Sequence, residues 1–88
     1  MELSTVLTRN PEVAYRIYDG QATVVLPGRS EINVLNEIGS LIWDRIDGER
    51  TVGQILQAVL DAYEIDSEQA RSDMLDFLSS LQEHGMVI

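Results

Sequence analysis

Apolar and polar residues follow two different rhythms along this chain, and the change falls near Leu35. Residues 12–35 carry the two-residue alternation of strands. Val13, Tyr15 and Ile17 fall on one face of the first segment, with Arg16 and Tyr18 on the other. Asp19-Gly20 follows, a dipeptide suited to the positive φ angles of a tight hairpin turn. Thr23-Val24-Val25-Leu26 is a second, β-branched run, which Pro27-Gly28 stops. In Glu31-Ile32-Asn33-Val34-Leu35 the alternation returns, with Ile32 and Val34 sharing a face. These segments predict a three-stranded antiparallel β-meander.

From residue 36 onward the period is helical. Asn36 is placed to cap a helix with apolar positions Ile38, Leu41, Ile42 and Ile46, ended by Asp47-Gly48. Thr51 and Gln54 have capping-box spacing ahead of the stripe Val52, Ile55, Leu56, Val59, Leu60 and Tyr63. After the break at Ile65-Asp66, Asp66 and Gln69 repeat that spacing. The third stripe is Ala70, Met74, Phe77, Leu78 and Leu81, and Gly85 supplies the left-handed residue that closes a helix. Met86-Val87-Ile88 reads as a short strand or an anchor against the core. The predicted class is α+β: a three-stranded meander followed by a three-helix bundle, in winged-helix-like order.

Composition narrows the possibilities. Eighty-eight residues, 44% apolar and 24% charged, make one small domain, with residues 12–88 as its body. The polar segment 1–11, ending in Asn10-Pro11, is expected to be loosely ordered. Having no cysteine, the chain cannot form disulfides, thiolate metal sites or a Cys nucleophile. The net charge is −9, and all six cations are arginines. A domain so acidic is not drawn to phosphate backbones or anionic lipid. No basic, apolar secretory segment opens the sequence and no run approaches a membrane span, so a cytoplasmic protein is expected.

Chemistry-bearing residues are sparse. The single histidine, His84, falls in the last turn of the third helix, where a cation suits the helix dipole. No nucleophile–base pair, metal-ligand spacing or glycine-rich phosphate loop is present, so neither catalytic residues nor a metal or cofactor site is expected. Gly39 and Gly53, inside helices, are read as points where another backbone packs closely, or less strongly where a ligand approaches. Trp43 beside the first stripe is read as a core-edge aromatic, with an interface anchor as the alternative.

A winged-helix order raises DNA binding, but the third helix opposes it. Residues 67–84 hold Glu68, Asp73, Asp76 and Glu83 against Arg71 alone, and residues 36–88 hold eleven acids against three arginines. A different kind of ligand fits better. Glu31–Leu35 comes last in the meander and should lie at an edge, where an extended chain can add as a further strand. On the third helix Leu78 sits on one shoulder of the core stripe. Leu75 lies further out on that shoulder, beside Arg71 and Gln82, which is the makeup of a peptide-binding wall. Equally, Leu75 can simply widen the core stripe.

The run Leu35-Asn36-Glu37-Ile38-Gly39, then Ile42-Trp43, Asp47-Gly48-x-Arg50-Thr51-Val52, Ile55, Tyr63 and Leu78-x-x-Leu81-x-x-x-Gly85-Met86-Val87 resembles the PqqD family. These are the peptide chaperones of pyrroloquinoline quinone biosynthesis and their relatives, also called RiPP recognition elements. The resemblance covers residues 12–88 and implies the winged-helix-like fold and a non-catalytic, cofactor-free role. Such a protein captures the leader of a ribosomally synthesised precursor peptide and presents it to a modifying enzyme, often a radical SAM protein. It also implies that the leader adds to the third strand and lies against the third helix. Carried over, that points to Glu31, Ile32, Asn33, Val34, Leu35, Arg71, Leu75, Leu78 and Gln82. Many relatives carry an aromatic just before the Leu-Asn pair, where this chain has Glu31-Ile32-Asn33-Val34, so which side chains face the ligand stays open. The alternatives are a winged-helix DNA-binding regulator and a structural interaction domain without a peptide ligand. An unpaired edge also allows either a monomer or an edge-strand homodimer.

Overall fold

A computed structural model describes residues 1–25 and 32–88. The expected strand stop at Pro27-Gly28, and Glu31, lie outside the described residues. The protein is α+β, with antiparallel strands and three helices. In chain order the elements are β1 (Val6–Thr8), β2 (Ala14–Tyr18), β3 (Gln21–Val25), β4 (Ile32–Val34), α1 (Glu37–Arg45), β5 (Asp47–Thr51), α2 (Val52–Ala62) and α3 (Ser67–Glu83).

β2, β3 and β4 form an antiparallel sheet in that order. The β2–β3 hairpin closes on Asp19 and Gly20, whose φ angles are 50° and 79°, and Tyr18 pairs with Gln21. Two consecutive left-handed residues match the twist of the flanking strands. Ala22 and Val24 of β3 point into the core, as does Val13 just ahead of β2. Ile17 shares that face but lies beyond the core at the hairpin tip and is exposed.

Helix caps follow the sequence. Asn36 accepts from the Gly39 N–H at 2.7 Å, and Thr51 and Gln54 exchange both hydrogen bonds of a capping box. Asp66 caps α3 by accepting from the Gln69 N–H, but the Gln69 side chain donates forward to Asp73 and leaves that box half formed. Gly85, at φ 70°, ends α3: its N–H donates to Gln82 O and that of Met86 to Leu81 O. This pair of bonds satisfies two carbonyls of the last turn.

Two expectations fail for non-local reasons. The segment expected to be loose carries β1, which pairs with β5, and its Leu7 is buried. Carbonyls of Leu3 and Thr5 accept from the Gly53 and Val52 N–H groups, the first donors of α2, which have no partner within the helix. The carboxyl-terminal tail runs alongside: Thr8 and Ile88 exchange N–H···O bonds, and Arg9 bridges to Val87. The order three strands, then three helices, is also incomplete, because Asp47-Gly48 opens β5 between α1 and α2.

Trp43 is not at the core edge but at its centre, with no exposed surface and its ring edge-on to Tyr15 at 5.6 Å. The buried residues of α1 are Gly39, Ser40, Ile42 and Trp43, while Leu41 is only half-buried. The helix packs on both β3 and α2, so its buried arc is wider than one stripe and turned toward Trp43. Arg9 lies over the Tyr15 ring and donates to the carbonyls of Trp43 and Asp44, fastening the amino-terminal segment to the end of α1.

Ser40 joins sheet to helix. Its buried hydroxyl accepts from the Ala22 N–H at 2.6 Å and donates to Leu35 O at 3.2 Å. Ser40→Ala leaves a buried amide without its partner and is expected to lower unfolding free energy by about 1–3 kcal/mol, measured by urea denaturation. A milder effect is expected at Asp47. The N–H groups of Arg50 and Glu49, and then the Arg50 guanidinium, hold its carboxyl below the usual carboxylate range. Its contribution is therefore present above that range and is lost as pH falls through the lowered value. Asp47→Asn should flatten the acid limb of the stability profile below the usual carboxylate range, and an unchanged acid slope would show that Asp47 does not contribute.

Candidate peptide-binding site

β4 is the last strand of its sheet, and among the described residues nothing pairs with its outer edge. Its register is Thr23 with Val34, Val24 with Asn33 and Val25 with Ile32. The Leu35 N–H donates to Ala22 O at 2.8 Å. Hydrogen-bonded and non-hydrogen-bonded positions alternate along an antiparallel pair. Asn33 and Leu35 thus turn their amides toward β3, and Ile32 and Val34 turn theirs toward the open edge. Both outward-bonding residues are apolar and largely exposed, Ile32 at 65% and Val34 at 62%. Exposed apolar residues on an unpaired edge are what a sheet normally avoids or covers.

Beside this edge lies a groove of about 320 Å³. Val34, Leu35 and Asn36 form its strand side, Ile38 and Gly39 its base on α1, and Ala70, Asp73, Met74 and Phe77 its wall on α3. The wall residues recur at i, i+3, i+4 and i+7, one continuous helical stripe. Ala70 and Met74 are buried at its inner side, while Asp73 and the half-buried Phe77 make the outer lip.

Gly39 leaves room for the cap of its own helix. A Cβ at that position would lie 3.1 Å from the capping oxygen of Asn36 and 3.6 Å from the Phe77 ring. Its neighbours are therefore side chains, which corrects the expectation of a close backbone. Gly53 does meet a backbone, with a Cβ placed 3.3 Å from Leu3 O.

The groove brings together Val34 and Leu35 of the expected strand residues, and Ile32 and Asn33 continue the same edge. The four expected helix residues are not in its lining. Taking about 100° per residue, Arg71, Leu75, Leu78 and Gln82 occupy one shoulder of the α3 stripe, and Asp73 and Phe77 the other. Leu78 has no exposed surface, Leu75 is half-buried against the core, and Arg71 and Gln82 are exposed. Sequence reasoning missed Asp73 as a wall residue because it counted the acid only toward the net charge of the helix. Its i+4 spacing to Phe77 was the available signal.

Electrostatically the groove is apolar with one acidic lip. Asp73 accepts from Gln69 at 2.8 Å, and among the described residues neither ion pair, Arg45–Asp44 nor Arg50–Asp47, involves it. His84 Nδ1 lies 2.8 Å from Ser80 O, at the end of α3 and outside the groove lining. Among the described residues no three His, Asp or Glu side chains converge to hold a metal ion, and no helix is long and apolar enough to cross a membrane.

The family described as Coenzyme PQQ synthesis protein D (PqqD) matches residues 22–87, most of the chain. The chain belongs to the PqqD family. Its fold is similar to that of TbiB1, solved in complex with the TbiA(beta) leader peptide, with a TM-score of 0.81 and 20% identity over 91% of this chain and 93% of that one. It is also similar to a lasso peptide synthetase B1 complexed with the leader peptide, with a TM-score of 0.78 and 27% identity over 96% of this chain and 99% of that one. No curated protein matches the sequence.

The burial of Leu78 yields a test that separates fold from site. Leu78→Ala is expected to cost about 2–5 kcal/mol of stability through the cavity it opens. Gln82→Ala, at an exposed position, should stay within about 0.5 kcal/mol of wild type. Thermal denaturation of the two variants checks both values.

Proposed function

We propose that this PqqD-family protein is a recognition subunit that binds the leader of a ribosomally synthesised precursor peptide. The leader adds as a strand to the open edge of β4 and lies along the groove against α3. The observation that carries this reading is the unpaired β4 edge, with Ile32 and Val34 exposed, directly beside an apolar groove. Edge amides supply affinity whatever the peptide's sequence, and the groove supplies selection through alternate side chains. The leader-peptide complex of the lasso peptide synthetase B1, similar over nearly its whole length, supports it.

In this reading the protein does no chemistry itself. It holds the leader so that the remainder of the precursor reaches a peptide-modifying enzyme, of which radical SAM proteins are one class, in the cytoplasm where the precursor is made. The three-helix arrangement with its appended sheet is winged-helix-like in outline, with the edge of the wing turned to peptide recognition. A homodimer paired through β4 would occupy the edge the leader needs, so the leader-binding form keeps that edge unpaired. The strand contacts are those of residues 32–35. On α3 the leader meets the Asp73–Phe77 shoulder, and Arg71, Leu75 and Gln82 lie on the opposite one.

Titrating isotope-labelled protein with the precursor peptide encoded beside its gene tests this. Amide shifts are expected at residues 32–35 and along 70–77. Shifts at Arg71, Leu75 and Gln82 without shifts at 73 and 77 would place the leader on the other shoulder, and no shifts at high micromolar peptide would sink the proposal. Val34→Pro removes an edge-facing N–H without touching a bond to β3. It should weaken binding by about three- to tenfold, the loss of one backbone hydrogen bond, while the circular dichroism spectrum is retained.

A further inference from the structure

Asp73 lines the same groove as Val34 of the β4 edge. It occupies the outer lip of a groove whose other α3 wall residues, Ala70, Met74 and Phe77, are apolar, and it is the one charged residue in the described lining. One side-chain oxygen accepts from Gln69, and among the described residues the other has no hydrogen-bond partner and can accept from a ligand. Phe77 follows at i+4, so carboxylate and ring lie side by side on the same lip.

The β4 register decides which ligand atoms can reach this lip. A residue paired opposite Val34 points, like Val34, to the outer face of the sheet, away from Asn33 and Leu35. Its two neighbours therefore point to the groove face, so groove-facing positions are two residues apart. One such side chain has an apolar floor beneath it, made by Leu35, Ile38 and Met74. The next faces the lip. A short apolar side chain there would leave the carboxylate facing an apolar neighbour, and an acidic one would set like charges together. A lysine or arginine can lay its methylene stem on Phe77 and bring its charge to Asp73.

We propose that Asp73 makes this groove selective for peptides carrying a lysine or arginine two residues from a buried apolar side chain. The proposal rests on the groove being a peptide site and adds the chemical class of the peptide. The overall field of the acidic helical half also draws cations, but a field prefers no register. Asp73 acts at one position only.

Display of a random twelve-residue peptide library, selected on wild type, Asp73→Asn and Asp76→Asn, tests this. Both variants remove one negative charge from α3, and Asp76 lies outside the groove lining. The wild-type and Asp76→Asn pools should enrich Lys or Arg at a fixed offset from an apolar residue, and the Asp73→Asn pool should keep the apolar position and lose the basic one. For a selected peptide, replacing that Lys or Arg by Gln should weaken wild-type binding by about three- to tenfold, as expected for a part-exposed charge-assisted hydrogen bond, and leave Asp73→Asn binding nearly unchanged. The same basic preference in all three pools, or none in wild type, overturns the role of Asp73. Failure of the wild-type protein to enrich any peptide that shifts the β4 amides overturns the peptide-site reading itself.

Discussion

The junction between β4 and α1 is the constraint on which the rest of the structure turns. Within six residues the chain must leave an edge strand, reverse direction and start a helix whose first N–H groups need partners. Three contacts accomplish this together. Leu35 makes its amide bond to Ala22, Asn36 caps the helix through Gly39, and the Ser40 hydroxyl bonds both Ala22 N–H and Leu35 O. Because Ser40 is buried, these bonds are not exchangeable for bonds to water without cost. They lock the sheet to α1, and Phe77 of α3 packs beside Gly39 at the same spot. An open edge and an apolar groove side by side are the geometric result.

The opposite side of the molecule solves a different problem, that of a small domain with many chain ends and helix termini to satisfy. The amino-terminal segment supplies carbonyls to the start of α2, a strand partner to β5, bonds to the carboxyl-terminal tail and, through Arg9, donors for the end of α1. Each would otherwise be an unpaired backbone group or an exposed edge. Trp43 is buried with its Nε1 unpartnered among the described residues, a loss that its burial and its edge-on contact with Tyr15 offset. The polar composition of residues 1–11 hid this role, because backbone carbonyls carry no signature in the residue types.

Charge belongs to a third level of organisation. The excess acid falls in the helical half, mostly on exposed faces, where it costs little and disfavours anionic partners. Asp73 is the exception in placement. It shares its stripe with buried residues and so puts a charge at the rim of the apolar groove, where screening by water is weaker than at an open surface.

What could be read from the sequence alone was what depends on neighbours three or four residues away. The caps at Asn36, Thr51 and Asp66, the left-handed Gly85 and the Asp19-Gly20 turn are all local bonds or local φ angles, and all are in place. Alternation put Ile32 and Val34 on one face, and both are exposed on the strand whose outer edge is unpaired among the described residues. Tertiary structure alone decided whatever joins distant segments: the β1–β5 pair, the carbonyls of Leu3 and Thr5 on α2, and Trp43 at the centre of the core. It also decided which shoulder of α3 faces β4. Helical period defines a buried stripe with two equivalent flanks, and only the packing of α3 on α2, with Gly39 against Phe77, sets Asp73 and not Arg71 beside the strand.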